Sequence, residues 1–138
     1  MKVDAIAIVR DGIRYSLDVV EARPRQSIAH RLIVAQALLE LGLRPLVRTE
    51  SDIIREPRRT NARTVWEYAG RPIEIGLRLQ ILGALTDDGA MPLADLLNRL
   101  RSNRDPATAV MALACADLVE LDLVSAPLGP RTMTRLRE

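Results

Sequence analysis

Apolar positions recur along this chain with two different periods, and the changes of period mark its elements. Lys2 to Val9 is rich in Val, Ile and Ala and predicts a strand. Asp11-Gly12 is a two-residue hairpin signal, so Ile13 to Glu21 is the returning strand, stopped by Pro24. Ile28, Leu32, Ala35, Leu38 and Leu39 then fall on one face of a helix running from Ile28 to about Leu41. Ser27 is its expected cap and Gly42 its C′ residue. A short strand over Pro45 to Thr49 completes a β-α-β unit, normally right-handed with parallel strands. Ser51 is expected to cap a helical turn broken by Pro57. Asn61 is expected to cap another short helix through Trp66 and Tyr68.

Gly70-Arg71-Pro72 separates this region from a different pattern, giving expected domains 1–70 and 71–138. Glu74 to Leu85 is helical through Ile75, Leu79, Ile81 and Leu82. A second helix begins at Pro92 and a third at Asp105-Pro106, where Asp caps and Pro takes the first helical position. The third carries Val110, Leu113, Ala114, Leu118 and Leu121, and reads as running from Pro106 to Asp122. Short strands over Leu123 to Ala126 and Arg131 to Arg137 follow. Three helices and a terminal hairpin are the order of a winged helix-turn-helix. The expected fold class is α+β.

Composition narrows this picture. The 138 residues are 48% hydrophobic but only 2% aromatic, with no Phe, so the core is aliphatic. Lys2 is the only lysine, so Arg serves wherever a cation is needed. A single cysteine, Cys115, excludes an internal disulfide and a Cys-cluster zinc site. No apolar run approaches the ~20 residues of a membrane span, and the start MKVDAIAIVRDG lacks signal-peptide features. A cytoplasmic protein with no membrane partner is the expectation. Residues 1–71 hold thirteen Lys or Arg against nine acids; residues 72–138 hold seven against nine. The excess of cations in the first part suits phosphates, and it fits an ordinary solvated surface equally well.

The densest candidate chemistry lies between residues 19 and 69. Glu21 and Arg23 alternate on the second strand and so point the same way. Val20-Glu21-Ala22-Arg23-Pro24, the Ala- and Leu-rich helix through Val34 to Leu41, Thr49-Glu50-Ser51-Asp52-Ile53, Arg55-Glu56-Pro57 and Asn61-Ala62-Arg63 follow in order. With Ser125 to Pro130 (SAPLGP) near the end, this ordered set resembles the TnsA-like endonucleases, the nicking subunits of heteromeric transposases. The resemblance spans nearly the whole chain. It implies a partial, N-terminally truncated restriction-endonuclease-like domain followed by the winged helix. It also implies a Mg²⁺ site with Asp4 and Glu21 as metal ligands, and Asp4, Glu21 and Arg23 as catalytic positions. Expected partners are DNA, a transposase subunit and a second copy of the chain.

This sequence departs from the family pattern at three places. The surroundings of Asp4 are Val3-Asp4-Ala5, not P-D-F; the upstream acidic helix is missing; and Arg23 stands where the family has Lys. Arg, with a pKa above ~12, stabilises charge but does not accept a proton. The expectation is a degenerate nuclease that keeps DNA or partner binding. The alternatives are an Mg²⁺-dependent endonuclease completed by a partner or second copy, and a winged-helix interaction module. Glu21 and Arg23 as a mere solvent-facing pair is the plain structural reading.

Candidate phosphate contacts are Arg55, Arg58, Arg59 and Arg63 around Pro57, Arg99, Arg101 and Arg104 before the third helix, and Arg131, Arg135 and Arg137 on the last strand. The third helix offers Thr108, Asp117, Glu120 and Asp122 but no Arg, Asn, Gln or Lys, so base readout by it is not expected. His30, the only histidine, reads as a surface or packing residue. Trp66 and Tyr68 read as packing at the seam between domains, in preference to platforms for stacking bases.

Overall fold

The computed structural model describes residues 6–10, 12–20, 26–101 and 105–137. It is a mixed α+β structure with two small three-stranded sheets. The chain divides into compact units between Ile54 and Arg55, ahead of the seam expected at Gly70-Arg71-Pro72. By this division the helix carrying Asn61 belongs to the second unit.

The first unit opens with β1 (Ile6–Arg10) and β2 (Ile13–Val19), paired antiparallel with Arg10 opposite Ile13. So short a connection needs a residue at positive φ, and Gly12 takes it at 72°. Helix α1 (Ile28–Glu40) is capped as expected: Ser27 Oγ accepts from the His30 N–H at 3.2 Å. At its end Leu43 N–H donates to the Leu38 carbonyl at 2.8 Å and Gly42 N–H to Leu39 at 2.9 Å. With Gly42 at φ 70° these bonds make a Schellman stop. Strand β3 (Arg44–Arg48) returns parallel to β2, Leu17 opposite Leu46, and the sheet order is β1-β2-β3.

Helix α2 (Glu50–Ile54) is capped by Thr49, not by the expected Ser51. Thr49 Oγ1 accepts from the Asp52 N–H at 3.2 Å while Asp52 Oδ2 accepts from the Thr49 N–H at 3.0 Å. That reciprocal pair satisfies two end groups at once, which Ser51 inside the helix cannot do. None of the described residues of this unit is buried. Ile28, Leu32 and Ile33 of α1 are each more than 60% exposed.

The second unit holds the buried core. It comprises α3 (Arg58–Trp66), α4 (Ile75–Asp88), β4 (Met91–Pro92), α5 (Leu93–Arg99), α6 (Pro106–Cys115), β5 (Val119–Leu121) and β6 (Met133–Leu136). Strand β6 lies between β4 and β5, antiparallel to both. Ile81, Leu96, Val110, Leu113 and Val119 are fully enclosed at the centre. Thr134 is buried with them because its hydroxyl donates to the Met91 carbonyl at 2.7 Å. Helix α5 has no side-chain cap; the carbonyls of Pro130 and Thr132 accept from its Ala94 and Leu93 N–H groups instead.

Two expectations shift here. The third helix ends at Cys115, not near Asp122, because Asp117 adopts φ 62°. Leu118 N–H then closes on Leu113 at 3.1 Å and Asp117 N–H on Ala114 at 3.2 Å, a second Schellman stop with Asp in the place usual for Gly. The chain turned out at Asp117 pairs as β5 over Val119–Leu121, so the strand expected over Leu123 to Ala126 begins and ends earlier. Asp105 and Pro106 do start α6, with Asp105 Oδ1 accepting from the Ala107 N–H at 3.0 Å.

Candidate nucleic-acid interface

The expected catalytic and metal positions Asp4, Glu21 and Arg23 lie outside the described residues, as does Arg104. Strand β2, which leads toward Glu21, is described through Val19. Among the described residues no three of His, Cys, Asp and Glu gather where they could hold a metal ion. His30 is exposed, with its backbone N–H spent on Ser27.

The nine remaining candidate arginines separate by what they already bind. Arg99 is ion-paired with Asp88. Arg135 pairs with Glu120 at 2.9 Å, and Arg137 with Asp117 at 3.1 Å. Arg137 is also drawn inward, its side chain only 19% exposed. Nor do Arg131, Arg135 and Arg137 share the expected strand face. Arg131 sits in the turn closed by Gly129 and Thr132, and Arg137 lies past the end of β6. The acids that make the third helix's end unsuited to phosphate thus neutralise the arginines beside it.

Arg55, Arg58, Arg59 and Arg63 differ. All four are exposed, and none forms an ion pair among the described residues. Glu56, the one acid among them, accepts from the Thr60 N–H at 3.1 Å. Arg58 and Arg59 fall in the first turn of α3, which holds no acid. The helix dipole favours anions there, so two cations are placed against the local field. An anion bound alongside relieves that repulsion.

Helix geometry decides which of these side chains share a face. Asn61 and Val65 are the buried residues of α3. At about 100° per residue, Arg59, Arg63 and Trp66 lie within roughly 60° of one another on the side opposite that pair. Trp66 is 71% exposed, so it does not pack at a seam as expected. Tyr68 does pack against the core, and the Arg71 guanidinium lies 4.6 Å from the centre of its ring.

What holds α3 in place is Asn61, expected as a cap and found inside the helix, 3% exposed. The helix begins earlier, after Pro57, and rotates Asn61 toward the core. Its amide donates to the carbonyls of Leu123 at 3.0 Å and Ala126 at 2.8 Å, and its Oδ1 accepts from the Leu128 N–H at 2.9 Å. The Cys115 thiol donates to the Val65 carbonyl at 3.2 Å, and burial pushes its pKa up. Within the bound segment, Asp122 accepts from Val124 at 3.0 Å and Ser125 at 3.1 Å; the Ser125 bonds hold its carboxyl below the usual range.

Helix α3 packs along α6. Five successive residues of α6, Ala109 to Leu113, are buried, and five residues turn through more than a full circle. The middle of α6 is therefore covered on every side and serves the core, and the half-buried turn before it, Pro106 to Thr108, carries no Arg, Asn, Gln or Lys to read bases. The open, basic helix of this unit is α3. Sequence reasoning had found its arginines and had read Trp66 as packing, not as a base-stacking platform. The signal was the spacing of Arg59, Arg63 and Trp66 against Asn61 and Val65, legible once the helix is started at Arg58. Comparison with protein-family models, curated proteins and solved structures finds no match for this chain.

Proposed function

We propose that this protein is a TnsA-like, transposition-associated nucleic-acid-binding protein that has lost nuclease activity and contacts phosphates through α3. The observation that carries the binding is the set of Arg55, Arg58, Arg59 and Arg63, exposed and without an ion pair among the described residues, set against the internally paired Arg99, Arg135 and Arg137. Four such cations attract a polyanion without reading its bases. The loss of catalysis rests on the sequence: Arg23 cannot take the proton that a Lys in that place can.

The fold part of this proposal is a winged helix-turn-helix over the second unit. It is supported by the order α4-β4-α5-α6-β5-β6 and by β6 lying between β4 and β5. Two segments that carry the resemblance, Asn61-Ala62-Arg63 and Ser125 to Pro130, are also tied together by the Asn61 amide. A transposase subunit or second copy as partner is supported by the first unit. Its α1 leaves Ile28, Leu32 and Ile33 open to solvent, a surface of the kind that marks protein contacts.

Plasmid nicking and duplex binding test the two parts separately. Supercoiled plasmid with Mg²⁺ or Mn²⁺ should stay intact; cleavage that Glu21→Ala abolishes would show an active endonuclease. Duplex DNA should bind at low salt. Arg59→Ala with Arg63→Ala should weaken that binding and make its salt dependence shallower by about two in the log–log slope. Wild-type binding by the double variant would remove α3 from the interface.

A further inference from the structure

Tryptophan side chains are highly buried on average in folded proteins. Trp66 is instead 71% exposed, on a helix whose other side is firmly anchored by Asn61 and Val65. It shares its open face with Arg59 and Arg63, Arg63 being one turn away. Glu67, next along the chain, forms no ion pair with either arginine. An indole on the same helix face as two guanidinium groups, one and two turns before it and without ion pairs among the described residues, offers a flat apolar plate beside positive charge.

That combination matches an unpaired nucleotide. Its phosphate answers the guanidinium and its base presents a π-face to the indole. In duplex DNA both faces of each base are covered by neighbours, so an indole on a convex helix finds nothing to stack on. We infer that α3 is a single-strand site, with Arg59 and Arg63 on the phosphates and Trp66 stacked on an unpaired base. This rests on the phosphate-binding reading of α3 and names its ligand. Single-stranded DNA arises wherever strands are nicked and displaced, which is the setting proposed for this protein.

Trp66 is the only tryptophan in the chain, so tryptophan emission, excited selectively over the two tyrosines, reports on this site alone. The full chain is titrated with a deoxythymidine oligomer, with a duplex of equal length, and with poly-glutamate, at one low salt concentration. The expected result is saturable quenching by the oligomer and tighter binding of it than of the duplex. By fluorescence anisotropy of labelled DNA, Trp66→Ala should weaken the oligomer about 5- to 150-fold and leave the duplex unchanged. Trp66→Phe, which keeps a ring, should weaken it less. Circular dichroism of both variants should match wild type, because the side chain is outside the core.

Equal oligomer affinity for wild type and Trp66→Ala overturns the stacking. So does equal quenching by poly-glutamate, which would make the site a receptor for acidic protein. In either case duplex binding lost in the Arg59→Ala, Arg63→Ala variant leaves the phosphate reading standing. No binding of either DNA at low salt removes both.

Discussion

Three backbone groups of the Leu123–Leu128 segment meet a single side chain, the amide of Asn61. Asn61→Ala leaves two carbonyls and an N–H without partners at a nearly closed site. It should cost about 2–4 kcal/mol, read as a lower urea midpoint for the second unit. An unchanged midpoint would mean that water replaces the amide at no cost. Asp122 makes a smaller, pH-dependent contribution. Its folded pKa is depressed, so that contribution is present above the ordinary carboxyl value and lost as pH falls through the folded one. Asp122→Ala should therefore lower the melting temperature near neutral pH, with the gap closing in strong acid. Cys115 behaves oppositely toward reagents. Its thiol is held protonated by burial, and should react with Ellman's reagent more slowly in the folded protein than in urea.

Helices α3 and α6 divide packing and exposed charge between them. Helix α6 supplies packing, enclosed from Ala109 to Leu113. Helix α3 lies along it, closes its open side through Val65 and the Cys115–Val65 bond, and turns the arginines outward. The arginines near the last strand are a control for this division. Because Arg135 and Arg137 are spent on Glu120 and Asp117, replacing either with Ala should leave DNA affinity at the wild-type level. Loss comparable to the Arg59→Ala, Arg63→Ala variant, measured by anisotropy at the same salt, would return the interface to the last strand. Sequence reasoning had placed any DNA contact of the winged helix on the last strand and the preceding loop, because the partners Glu120 and Asp117 are distant in the chain and only the paired strands bring Glu120 opposite Arg135.

At the scale of the molecule, the two units are unequally stabilised. Every buried hydrophobic residue described lies in the second, while the first leaves α1 and β1 largely open. Amide hydrogens of β1, β2 and β3 should exchange much faster than those of α4 and α6, and protection in the first unit should rise if a partner covers α1. Equal protection in both units of the isolated chain would contradict this. The sequence by itself determined the local elements. The Ser27 cap, the Gly42 stop, the parallel return to β3 and the Asp105-Pro106 start of α6 were legible because each depends on residues a few positions apart or on simple chain geometry. Even so, Thr49 displaced Ser51 and Asp117 ended α6 early, where two polar residues competed for one backbone site or a non-Gly residue took a positive φ. Only the tertiary structure decided which cations remain available, that Asn61 is a buried tie, and that Trp66 faces outward. Those properties rest on ion pairs, hydrogen bonds and burial between segments far apart in sequence, which no local pattern records.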